Sequence, residues 1–238
     1  MKLQGRLLKV FQVTPSCKRL LDVGCGPGYA TVRFLEKADE VYGIDYDPAL
    51  IKEAKGHNKK IHWTVGKGEK LPYKTGFFDV VIMSDVLEHV ENERRSLDEV
   101  HRVLRKGGTL VISVPHKGLF RMLDSFNMKF YFPTLYRWFK GKAYNPDIYT
   151  IAPWHRHYSR EDIATLTDGK FTIGKVFRGG LLVYPVATIL RDSVLWKMHR
   201  MKLPVKTLRA VNNQLSHWDY MINYGRIGWH IVLTLKKR

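Results

Sequence analysis

Between Leu21 and Ala30 the chain reads LDVGCGPGYA, an apolar run that meets three glycines at alternate positions and then gives way to helix-compatible residues. A strand feeding a glycine turn and a helix is the form of a nucleotide-holding loop in a doubly wound sheet, where backbone approaches ligand at the helix N-terminus. The dinucleotide version needs G-x-G-x-x-G. Here the glycines are Gly24, Gly26 and Gly28, and Tyr29 stands where the third glycine belongs. What remains is Asp22 followed by G-x-G-x-G. Three glycines in a turn also serve simply to reach positive φ, so the rest of the N-terminal half decides the reading.

Val41–Asp45 reads as a second short buried strand that ends in an acid about 20 residues after the glycines, the place from which a carboxylate accepts hydrogen bonds from ribose hydroxyls. Ile61–Gly66 reads as a third strand, followed by Lys67-Gly68-Glu69-Lys70-Leu71-Pro72-Tyr73. Phe77–Val90 and Leu104–Pro115 are two further apolar runs. Asp22–Gly28 is similar to the first motif of class I S-adenosylmethionine-dependent methyltransferases. Phe77–Val90 resembles the fourth strand and following helix of the ubiquinone and menaquinone methyltransferases and their small-molecule (type 11) relatives. Leu104–Pro115 resembles the family's glycine turn and fifth strand. These motifs stand in the family's order from about Leu20 to Pro115.

The resemblance implies an α/β fold: a Rossmann-like, doubly wound, seven-stranded sheet, its last strand antiparallel, with an inserted helical lid. It also implies S-adenosyl-L-methionine as cofactor and a site carried residue by residue. Gly24, Cys25, Gly26 and Gly28 pass close to the methionine and ribose, and Asp22 orients the methionine amine. Asp45, with Tyr46 beside it, serves the ribose. Gly68 and Glu69 lie at the adenine, and Ser84 at the methionine moiety. Lys67 departs from the pattern, because the family commonly has an acid there that accepts from the adenine amino group, and lysine carries donors only. Either Glu69 takes over, or affinity is reduced, or backbone and stacking alone hold the adenine.

At 238 residues the chain suits one domain, with residues 20–115 as the cofactor half and insertions at 115–160 and 179–226. Thr31–Lys37, Pro48–Lys55 and Asn92–Leu104 read as helices; Phe171–Phe177 and Trp229–Lys237 read as the last two strands. Two cysteines are too few for a disulfide framework, no N-terminal stretch has a signal peptide's apolar core, and the uncharged stretch Gly179–Leu190 is short of the ~20 residues of a membrane span. A cytoplasmic protein is expected. Charge is uneven: residues 1–114 carry 19 Lys and Arg against 15 Asp and Glu, residues 115–238 carry 21 against 7. The second half therefore asks for an anionic partner, whether a phospholipid surface, a phosphorylated metabolite or nucleic acid.

The first insertion interleaves Phe120, Phe126, Phe130, Tyr131, Trp138 and other aromatics with Arg121, Lys129, Arg137 and Lys140. Such a segment suits a membrane interface, the stacking of single-stranded bases, or a lid packed on the sheet. Only about 20 residues precede the first strand, so this insertion is expected to close the site. Val186, Ile189, Leu190 and Val194 of the second insertion fall on one helical face.

Methyl transfer needs an acceptor held against the methyl group and, for a hydroxyl or acidic carbon, a base. His89, His155 and His157 are the candidates; Asp85 and Glu88 are candidate pocket acids; no metal is expected. The acceptor reads as a small or lipid-like molecule, O- or C-methylated, with peripheral contact to an anionic membrane. The alternative is RNA ribose or modified-base methylation, since the chain lacks both the Asn- or Asp-Pro-Pro-aromatic motif and a suitably placed cysteine for base chemistry. A non-catalytic module of the same fold is the third reading.

Overall fold

The computed structural model describes residues 3–119, 121, 134, 156–181, 214–215 and 217–238. The expected lid and the helix at Val186–Val194 lie outside the described residues, apart from their flanks. The cofactor half begins with helix α1 (Gly5–Val13) and strand β1 (Cys17–Val23), followed by β2 (Ala38–Asp45), helix α2 (Pro48–His57) and β3 (His62–Val65). Then come β4 (Phe78–Ser84), α3 (Glu93–Val103) and β5 (Leu104–Pro115). Helix α4 (Arg160–Thr167) leads into β6 (Phe171–Gly179), and β7 (His230–Lys237) ends the fold.

The strands form one seven-stranded sheet in the order β3-β2-β1-β4-β5-β7-β6. β1 pairs in parallel with β2 and β4, as do β2 with β3 and β4 with β5, and β7 is antiparallel to β5 and β6. The strands are apolar runs because both faces are covered. On one face, Leu21, Val81, Ile112 and Leu233 pack with Leu97 and Val100 of α3 and Ile163 of α4. On the other, Leu20, Val80, Val111 and Val232 pack with Val10 of α1 and Phe34. Because β1 and β4 are neighbours while β2 and β5 lie outside them, the chain reverses direction across the sheet at the ends of β1 and β4. A crevice at such a reversal is where open α/β sheets take their ligands.

The helices start where local chemistry satisfies their open N–H groups. Asp47 Oδ1 accepts from Ala49 N at 2.7 Å with Pro48 in the first turn of α2, and Asn92 Oδ1 accepts from Arg95 N at 2.9 Å at the start of α3. Ser159 and Asp162 form a full capping box at α4, with bonds of 3.1 and 2.7 Å.

Two elements differ from expectation. Thr31–Glu36 is a 3₁₀ helix and not an α-helix. Its N-cap Ala30 offers no side-chain acceptor, Thr31 and Val32 are β-branched, and the Thr31 hydroxyl is drawn sideways to Asp22. Residues 85–90, expected to open a helix, form a turn, because Asp85 leaves β4 with φ +57 and Val86 O takes the N–H groups of both His89 and Val90.

Candidate active site

The glycine loop lies at the C-terminal end of β1, held to β2 by its backbone: Gly24 N and Cys25 N both donate to Ile44 O, at 2.8 and 3.1 Å. Gly28 has φ +80, and a Cβ there would fall 2.5 Å from the Trp63 ring, so this turn admits only glycine. Gly26, at φ +51, has no atom within 4 Å of the place a Cβ would take. The backbone there is open to an incoming group.

Asp45 closes the loop. Its Oδ2 accepts from Gly26 N at 2.8 Å and its Oδ1 from Asp47 N at 3.0 Å, so one buried carboxylate joins the loop to the turn before α2. Each carboxylate oxygen retains capacity for another donor. Tyr46 beside it is 60% exposed at the rim. Asp22 is buried, accepts from Thr31 Oγ1 at 2.6 Å, and has its pKa pushed up to about 7 by burial, with the charge of Asp45 adding and the Thr31 bond opposing. A buried carboxylate of that kind gains most from a cation placed beside it. Cys25 sits in the loop with its thiol turned inward toward Gly43 and Trp63; burial drives its pKa well up, so it stays a neutral packing group.

Lys67 is exposed and its Nζ lies 3.0 Å from Glu91 Oε1, while Glu69 Oε1 accepts from Glu91 N at 2.9 Å. Lys67 is thus turned to Glu91, and Glu69 is anchored in the same cluster. A Cβ on Gly68 would fall 2.9 Å from Ser96 Oγ, which fixes this turn against α3.

At the ends of β4 and β5 the structure brings in a residue that sequence reasoning missed. Arg6 of α1 forms an ion pair with Asp85, and its Nη1 lies 3.4 Å from Ser84 Oγ and 3.5 Å from Ser113 Oγ. The short N-terminal segment, expected to contribute little, therefore reaches the site edge. The second half also clamps the turn after β4: Tyr158 OH lies 2.5 Å from Glu93 Oε1 and 3.1 Å from Leu87 O, its single hydrogen shared between these acceptors, and Arg156 Nη1 donates to Val90 O at 2.7 Å. The segments carrying His89 and His157 are brought together in this way. His155 lies outside the described residues. Glu88 is wholly buried in the same turn. Among the described residues, no cluster of three or more His, Cys, Asp or Glu is placed to hold a metal ion.

The open backbone at Gly26, the remaining acceptor capacity of Asp45 and the buried carboxyl of Asp22, which a neighbouring cation would ionise, fit a cationic nucleoside with vicinal hydroxyls. Residues 21–112 match a family profile described as a methyltransferase domain. A probable S-adenosylmethionine-dependent methyltransferase of Mycolicibacterium smegmatis is 32% identical over 98 residues, 41% of this chain and 38% of that protein. Norajmaline N-methyltransferase of Rauvolfia serpentina is 34% identical over 110 residues, 43% of this chain and 38% of that one. The chain thus spans well under half the length of these relatives. In fold, the YcgJ protein of Bacillus subtilis superposes with a TM-score of 0.60 at 16% identity, covering 97% of each chain. The profile match runs from β1 into β5, the half of the sheet that holds the glycine loop and both carboxylates, and marks that stretch as similar to a methyltransferase domain.

Proposed function

We propose that the protein transfers the methyl group of S-adenosylmethionine to a small-molecule or lipid-like acceptor, at oxygen or carbon. The observation that carries this reading is the pairing of an open glycine loop with two buried carboxylates, Asp22 and Asp45, at the ends of β1 and β2. The bound cofactor supplies an electrophilic methyl on a sulfonium, displaced in line by the acceptor.

In this reading Asp22 takes the methionine ammonium and Asp45 accepts from the ribose hydroxyls. The glycines let the chain pass against both. Tyr46 lays its ring on the adenine, whose edge lies near Gly68 and Glu69, with Lys67 held aside by Glu91. Ser84 sits under the methionine end, where Arg6 fixes Asp85. His89 and His157 are the described candidates to take a proton from the acceptor.

The family profile ends at residue 112, so the acceptor is chosen by residues beyond it, where the positive charge concentrates. Radiolabelled S-adenosylmethionine incubated with the protein and a cell extract is expected to leave label in the organic-soluble or small aqueous fraction. Label in nucleic acid would replace this acceptor with RNA. No label anywhere would leave a binding module.

The adenine assignment has its own test. Because the Tyr46 ring is exposed, Tyr46→Ala should leave the melting temperature unchanged while weakening S-adenosylmethionine about tenfold, the scale of one base-aromatic stack. Calorimetric titration beside a thermal melt measures both, and unchanged affinity would remove Tyr46 from the site.

A further inference from the structure

We propose that the rim of the sheet where β5 ends and β7 begins carries a docking surface for an anionic lipid bilayer. The inference deepens the lipid-like acceptor reading, on which its purpose rests. Between residues 215 and 227 the side chains of Leu215, Trp218, Met221, Ile222 and Ile227 are exposed, Trp218 by 59% and Met221 by 60%. Leu119 is 69% exposed. Scattered exposed apolar residues need no explanation, but a group of this size does.

The group is held in place by the chain beneath it. Asp219 and Tyr220 point inward: Asp219 Oδ1 accepts from Leu181 N at 3.1 Å, and the Tyr220 hydroxyl lies 2.5 Å from Nδ1 of buried His230. Tyr224 N donates to Arg178 O at 2.8 Å, and Asn223 Oδ1 accepts from the N–H groups of Arg178 and Gly225, each at 3.2 Å. Trp218, Met221 and Ile222 therefore face outward from a segment anchored on both sides.

The patch is also built from two separate stretches. A Cβ on Gly118 would fall 2.5 Å from Gly228 O and 3.4 Å from Ile227 O, and His116 Nδ1 donates to Gly228 O at 2.8 Å. The backbone just before Leu119 is thus packed on Ile227 and Gly228, and Leu119, Arg121, Arg226 and Ile227 are all exposed. These stretches flank the two insertions read from the sequence, in the half with 21 Lys and Arg against 7 Asp and Glu.

Charge complementarity selects the occupant. An indole with aliphatic neighbours suits the headgroup boundary, and guanidinium groups beside it meet lipid phosphates. The strand ends here, Pro115 paired with His230, share the rim of the sheet with Ser84 and Ser113, so a bilayer on this surface adjoins the proposed methionine end of the site.

The full chain is tested by co-sedimentation with phosphatidylglycerol/phosphatidylcholine vesicles and with pure phosphatidylcholine vesicles, at low and high salt. The wild type should sediment with the anionic vesicles at low salt and lose most binding at high salt. The double variant Trp218→Ser, Ile222→Ser should partition about tenfold less, and Arg121→Glu with Arg226→Glu about fivefold less per charge. All should keep the wild-type affinity for S-adenosylmethionine. The proposal is overturned if the wild type stays in the supernatant or if the Trp218/Ile222 variant sediments equally well. It is overturned too if the wild type is a dimer that this variant dissociates, because a second copy would then cover the patch. Sedimentation as expected, with no cofactor binding or methyl transfer, would strike the enzymatic reading and keep the surface; the reverse pattern would do the opposite.

Discussion

Asp45→Asn is expected to weaken S-adenosylmethionine binding about a hundredfold and to lower the melting temperature by roughly 5 °C. Both effects follow from the two backbone donors that share this carboxylate, Gly26 N at 2.8 Å and Asp47 N at 3.0 Å. Asparagine offers one acceptor oxygen and an amide with two donors, so one of those N–H groups would face another donor in a buried place. An unsatisfied buried donor costs about 1–3 kcal/mol, which explains the melt. The binding loss is larger because, in the proposed site, the ribose hydroxyls lose a charged acceptor at the same moment as Gly26 loses its bond to Asp45, while Gly24 and Cys25 stay tied to Ile44 O. Calorimetric titration and a thermal melt on the same preparation separate the two. A lower melting temperature with undiminished affinity would make Asp45 a structural clamp and move the ribose elsewhere.

What the sequence disclosed was local. The loop at Leu21–Ala30 and the acid ending β2 are constraints written within a few residues, and the sheet order follows from alternating strands and crossovers that obey general chain rules. Ser159 and Asp162 are an equally local signal, since a capping box joins residues only three apart. What escaped was long-range. Arg6 lies 78 residues from Ser84 and 107 from Ser113, and nothing around Gly5–Val13 announces that this helix brings a guanidinium to the ends of β4 and β5. Lys67 looked like a defect in adenine recognition because Glu91, 24 residues on, is not visible from its neighbourhood as a partner. The same holds for Tyr220 and His230: an ordinary aromatic and an ordinary histidine by sequence, they meet only because the turn from 217 to 228 folds back on the start of β7. The 3₁₀ helix at Thr31–Glu36 was misread for a related reason, as Thr31 answers to Asp22 nine residues earlier and not to its own turn.

Asp22 makes the opposite trade from Asp45. Burial pushes its pKa up to about 7, against about 3.9 in an unfolded chain. The folded state therefore holds a proton that the unfolded state has already lost, so stability falls as pH climbs from about 4 to about 7 and stays low above that. The full difference is about 4 kcal/mol by linkage, an upper bound because burying an asparagine amide recovers only part of it. Asp22→Asn keeps an acceptor for the Thr31 hydroxyl, now 2.6 Å from Oδ2, and carries no charge to desolvate. Its melting temperature should be flat between pH 5 and pH 8 where the wild type declines, and at pH 8 it should exceed the wild type by roughly 5 °C. Binding should move the other way. In the wild type, affinity for S-adenosylmethionine should rise from pH 6 to pH 8 as Asp22 ionises against the ligand's ammonium; in the variant it should be about tenfold weaker and independent of pH. Melts and titrations at pH 5, 6, 7 and 8 test both halves. A variant that melts lower at pH 8 and binds as the wild type does would show that Asp22 holds Thr31 and the loop together and nothing more. A variant that gains stability and loses affinity would mean that the folded protein keeps a costly buried carboxylate because the cofactor's cation needs it.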